Sequence, residues 1–254
     1  MNELFSPFRS KKKLLQMGLC ALVFIGMALP FKVMVLIDGF TEVRPVNAVP
    51  VVAGLLLGPA GAWGCGIGNL IADLFGTFSK ASILGFIGNF LAAYLPYKLW
   101  HIAGRKEIPN VKTYRNIIRY ILITAIAALA TALIIACGLD VLFGLWIPTI
   151  FWIILLNDLG FPILIGLPIF IVLTSEESTL KITVPERGLQ ESRGKARFRI
   201  KYLLFLAVVL SELALLWMIV SGMQMSASPL MVITGGIFTL SLLVLVFRID
   251  EKQD

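Results

Sequence analysis

The chain is poor in charge, histidine and cysteine. Charged residues occupy 15% of its 254 positions, against about 25% in an ordinary soluble domain, which excludes a water-soluble fold. His101 is the only histidine, so the paired histidines of an intramembrane zinc protease are missing. No buried serine with a base is available for serine protease chemistry, and Glu176-Glu177 has no histidine partner. Cys20, Cys65 and Cys137 stand singly in apolar segments; they form no CxxC pair or metal-ligand cluster and read as small packing residues. No GxxxxGK[ST] loop for nucleotide hydrolysis occurs. These absences assign no catalytic residue, no metal and no cofactor, so any energy used here comes from another subunit.

What is abundant is apolar. Hydrophobic residues make up 58% of the chain and the mean hydropathy is +0.91. The runs 14–36, 120–139 and 203–223 each reach the roughly 20 residues that cross about 30 Å of hydrocarbon at 1.5 Å per residue. The first run has no small-residue cleavage site and further spans follow it, so it reads as a retained helix. The fold class expected is all-α, a polytopic membrane helix bundle.

The net charge of +7 comes with no nucleic-acid-binding motif, and membrane topology accounts for it. Lys and Arg gather in four clusters: Arg9 with Lys11, Lys12 and Lys13; Lys98 to Arg119; Lys181 to Lys201; and Arg248 with Lys252. Basic residues accumulate in cytoplasmic loops, so all four clusters belong on one side. That condition requires the block 46–75 to be a hairpin turning at Gly58-Pro59-Ala60-Gly61, where Pro and Gly supply reversal chemistry. Segment 46–57 is then a helix shorter than the membrane, tolerated where protein or a cavity covers its end.

Eight membrane segments result, in a plasma membrane protein with both termini cytoplasmic. Arg44 and Lys80 are the only basic residues in outer loops, and Lys32 snorkels toward the headgroups. The expected division is a six-segment core over 1–173, a basic cytoplasmic linker over 174–201 that attracts anionic lipid, and a C-terminal transmembrane hairpin with tail over 202–254.

Polar residues enter the membrane at few places. Gly64, Gly68 and Ala72 form a small-residue row that allows a neighbouring helix to approach. The adjacent stripe of Gly61, Cys65, Asn69 and Asp73 puts Asn69 and Asp73 on one face, a turn apart. The next helix repeats the pattern with Gly85, Asn89 and Ala93. Asn157 and Asp158 interrupt segment 145–173, which Pro148, Pro162 and Pro168 kink. Intramembrane carboxyls are costly and face a bundle interior, which makes Asp73 and Asp158 site candidates. The structural alternative is that Asp73 pairs with Arg44 or Lys80 and that the asparagines staple helices. Glu212 stands without a polar neighbour in sequence. Before the hairpin, the loop 37–48 concentrates Asp38, Phe40, Thr41, Glu42, Arg44 and Asn47 at what would be a cavity mouth, or in a solvated connector.

Over residues 41–77, TEVRPVNAVPVVAGLLLGPAGAWGCGIGNLIADLFGT, and 85–100, GFIGNFLAAYLPYKLW, the sequence resembles the S components of energy-coupling-factor (ECF) vitamin transporters. The resemblance covers roughly residues 14–173 and rests on the glycine-rich turn G-P-x-G-A-x-G, the polar residues after it and the six-span core. It implies a six-helix bundle that captures a vitamin or similar micronutrient from outside, with a loop after the first helix capping the cavity. It also implies a membrane coupling subunit and two ATPases as partners, besides the lipid bilayer and a small-molecule substrate. The first helix departs from the family in lacking an Ala-xxx-Ala row, and two extra spans follow the core.

The pool for substrate binding is Glu42, Arg44, Asn47, Asn69, Asp73, Asn89, Asn157 and Asp158. Arg44 suits a carboxylate, and the acids suit a cationic or hydrogen-bond-donating group. The competing function is a membrane sensor or scaffold signalling to a cytoplasmic partner. A secondary transporter ranks third, since the polar helices are not repeated across two halves.

Overall fold

The computed structural model describes residues 3–31, 34–37, 41–76, 78–103, 108–175 and 195–247. The chain is an all-α membrane helix bundle. Its helices are α1 (Lys11–Ala28), α2 (Ala48–Leu57), α3 (Pro59–Asp73), α4 (Ala81–Ala103), α5 (Tyr114–Phe143), α6 (Pro148–Phe161), α7 (Leu167–Thr174), α8 (Lys195–Val220) and α9 (Pro229–Phe247). The strands β1 (Val35–Ile37) and β2 (Thr41–Glu42) pair as a short antiparallel ribbon between α1 and α2. Asp38 and Phe40 of the polar loop lie outside the described residues, as does 176–194 of the expected linker.

Among the described residues, five helical stretches are long and apolar enough to cross a membrane: Lys11–Phe31, Tyr114–Phe143, Pro148–Thr174, Tyr202–Val220 and Pro229–Phe247. With α4 and the α2–α3 hairpin they make the eight segments expected from the charge clusters. α2 has 10 residues and α3 has 15, so neither meets that length. Their reversal is at Gly58, whose φ of 58° is a conformation that only glycine adopts freely. Pro59 then opens α3 at its first position, where its missing N–H has no helical partner to lose.

Small residues bring the helices together. A Cβ at Gly64 would lie 2.7 Å from the Met17 carbonyl oxygen, and one at Gly68 would lie 2.8 Å from Phe24 Cβ. The small-residue row of α3 thus faces α1. On α2, a Cβ at Gly54 would come within 1.8 Å of the Ala93 carbonyl oxygen on α4. Backbone packs on backbone there, the contact that dispersion favours when there is no water to drive association.

α6 and α7 form one interrupted segment, joined by a π-helical turn over Pro162–Gly166. Pro162 lacks the N–H that would reach the Asp158 carbonyl four residues back, so the helix is broken one turn after Asp158. The buried Tyr120 of α5 donates its hydroxyl to the Pro162 carbonyl at 3.0 Å, an oxygen that also accepts the Leu167 N–H five residues on.

At the Gly58 end of the bundle, a 3-10 segment over Glu3–Arg9 folds back onto the core. Trp63 Nε1 donates to the Leu4 carbonyl at 2.9 Å, and Phe8 meets the Trp63 ring edge-on at 5.1 Å. Lys98 is 2% exposed and pairs with Glu3, itself 23% exposed, at 2.9 Å; the Tyr97 hydroxyl donates to the same carboxylate. At the far end, Asp140 of α5 accepts the Ser226 backbone N–H at 2.9 Å. That bond ties the α8–α9 connection to α5, against which α8 also packs.

A buried ammonium left without its carboxylate is strongly destabilising, by about 3 kcal/mol. Glu3→Gln should therefore lower the melting temperature of the detergent-solubilised protein clearly, and adding Lys98→Met should recover most of the loss. Differential scanning fluorimetry of the three variants checks this, and an unchanged Glu3→Gln melting curve contradicts it.

Candidate substrate-binding site

α2 rises only about 15 Å from the Gly58 turn, at 1.5 Å per residue, so its start lies inside the bundle. The 3-10 turn Pro45–Asn47 leads into it, with Arg44 just before. That placement carries Arg44 and Asn47 to the polar face of α3 on one side and to α6 on the other.

Arg44 Nη2 donates to Asn69 Oδ1, and Asn69 Nδ2 donates to Asp73 Oδ2 at 3.3 Å. Asn47 Nδ2 donates to Asp158 Oδ1, and Arg44 stands within electrostatic reach of Asp158. Two polar chains thus meet around one guanidinium. Asn47, Asn69, Asp73 and Asp158 are all buried, Asn69 completely, while Arg44 is half-buried. Among the described residues, one guanidinium stands against two carboxyl groups. Such a cluster suits a ligand that carries hydrogen-bond donors or a positive charge.

The other candidates are arranged differently. Asn89 is buried, and its Nδ2 donates to the Gly85 carbonyl of its own helix at 2.9 Å. Asn157 is buried on α6 beside Asp158. Glu42 belongs to β2, and its side chain lies outside the described residues. Lys80 is exposed, whereas Asn69 links Arg44 to Asp73.

Gly85 is a wall of the site that its sequence context does not reveal. A Cβ there would lie 2.8 Å from Asn69 Nδ2 and 3.7 Å from Asp73 Oδ2. Its row with Asn89 and Ala93 reads as a repeat of the α3 polar stripe, and nothing in that spacing marks the glycine as a neighbour of Asn69.

A family profile described as QueT transporter matches residues 14–175. The chain belongs to the QueT transporter family. The match spans well over half of the sequence and nearly coincides with the region 14–173 read above as similar to S components. QueT transporters are S components of the ECF type, so the resemblance holds. No curated protein and no solved structure matches the chain. As a QueT family member this is a multi-pass membrane protein and a transport subunit for a micronutrient. The matched region contains all of the described site and leaves the Glu3–Arg9 segment and the α8–α9 hairpin outside.

Asn69→Leu keeps the side chain's approximate size and removes the amide between Arg44 and Asp73. A hydrogen bond to a charged group contributes about 1.5–3 kcal/mol, so the ligand-free variant should unfold at a clearly lower temperature than the parent. An unchanged transition, followed by tryptophan fluorescence, would mean that the relay is not a structural link.

Proposed function

We propose that the protein is the substrate-capturing S component of an ECF-type ABC importer, and that its cargo is a queuosine precursor taken from outside the cell. Family membership supports the cargo class. The observation that carries the reading is the convergence of Arg44, Asn47, Asn69, Asp73 and Asp158 at the end of the bundle away from Gly58. An acid-rich, amide-bearing cluster fits a small nitrogenous solute that donates hydrogen bonds, the class to which queuosine precursors belong.

The positive-inside pattern supports an orientation with this end outward and both termini cytoplasmic. The β1–β2 ribbon precedes Arg44 in sequence and is then the element nearest the outer mouth. ATP hydrolysis belongs to two partner ATPases, joined through a membrane coupling subunit. The division of labour is a binding core over 1–173, a basic linker over 174–201 and an appended hairpin over 202–254.

Binding of queuosine precursors to the purified protein, measured by calorimetry, tests the reading directly. Arg44→Ala and Asp73→Asn should each weaken binding by about tenfold or more, the size of one lost charge-assisted hydrogen bond. Purification from the native membrane in mild detergent should recover the coupling subunit and both ATPases. If neither variant alters precursor uptake, the binding site lies elsewhere.

A further inference from the structure

The orientation of the Asn47 amide is set by its partner. Its Nδ2 donates to Asp158 Oδ1, which leaves Oδ1 of the same amide outside that hydrogen bond. That oxygen is buried and has no hydrogen-bond partner among the described residues, in a residue 6% exposed. An unmet buried acceptor costs about 1–3 kcal/mol, and native proteins keep few of them outside functional sites. Arg44, the cation of the cluster, turns Nη2 to Asn69. Among the described residues Asp158 receives a hydrogen bond from Asn47 alone, so its carboxylate has capacity left beside that orphaned oxygen. Among the described residues, the site thus presents an amide oxygen with no donor and, next to that amide, a carboxylate with a single one.

We infer that Asn47 and Asp158 are specificity-determining residues that read paired N–H donors on the cargo, the edge formed by a ring N–H and an adjacent exocyclic amine in a 2-aminopyrimidin-4-one ring. The inference rests on the substrate-capture reading above and deepens it. Amide and carboxylate oxygens accept best near their own planes, so a flat edge with two parallel donors meets both oxygens together. A base that lacks the exocyclic amine leaves one acceptor unmatched, and a site built on hydrogen bonds rejects such an analogue far more strongly than an apolar pocket could. Arg44, Asn69 and Asp73 remain to hold the rest of the ligand.

The test compares 7-deazaguanine, which has both donors, with 7-deazahypoxanthine, which lacks the exocyclic amine, on the full-length protein in detergent by calorimetry. The parent should prefer 7-deazaguanine by about tenfold or more. Asn47→Leu, of similar size and without the acceptor, should bring the two affinities to within about twofold of each other. Asp158→Asn keeps an oxygen for the Asn47 amide and replaces one acceptor by a donor. It should also cut the preference, and it keeps the test decisive if Asn47→Leu does not fold. Equal binding of the two bases by the parent, or a preference unchanged in the folded variants, overturns the inference and leaves the transport reading standing. If neither base binds while another micronutrient does, the queuosine reading falls and this inference falls with it.

Discussion

A guanidinium with no counterpart cannot be held inside a membrane bundle, and most of the arrangement around Arg44 follows from that constraint. In hydrocarbon there is no water to satisfy a charged donor, so protein groups must supply its acceptors. Asn69 of α3 accepts from it and in turn donates to the Asp73 carboxylate, and Asp158 of α6 stands within its electrostatic reach. Removing any one of these would change the balance for the others. α2 must be short for the cluster to form, because only a helix that begins within the bundle can bring Arg44 and Asn47 to the level of Asn69.

The scaffold that holds this cluster is assembled from glycine contacts. α1 lies on the Gly64–Gly68 row of α3, and α2 lies on α4 at Gly54. With one face of α3 occupied by α1, the Asn69–Asp73 stripe has only the interior to face. The same spacing rule therefore produces the packing surface and the polar surface from a single helix. The α8–α9 hairpin is fastened separately, by packing on α5 and by the Asp140 bond to the Ser226 backbone.

Local periodicity made much of this legible in the sequence. Four-residue spacing placed Asn69 above Asp73, the Gly-Pro pair located the reversal at Gly58, and Pro162 announced the break after Asp158. Charge clusters yielded the segment number even though α2 and α3 are too short to register as full spans. What could not be read are the pairings between distant residues: Asn47 with Asp158, Glu3 with Lys98, and Asp140 with Ser226. Each joins elements whose relative placement is decided by packing, and no spacing in the chain encodes it. Asn89 repeats the position of Asn69 one helix later, and its amide donates to its own backbone. Glycine is ambiguous by nature: Gly85 and Gly88 lie on one helix, but a side chain at 85 would strike an amide and one at 88 would strike Ile135.

The Gly54–Ala93 contact has a mechanical consequence. Where two backbones touch with no side chain between them, there is nothing to rotate or compress, and sliding one past the other would drive carbonyl into Cα. α2 and α4 therefore behave as a single stiff plate. A conformational cycle that admits and releases cargo must hinge at the borders of that plate, at the segment around Arg44 or at the broken helix beyond Asp158. Those are the two places from which the site takes its polar side chains outside α3.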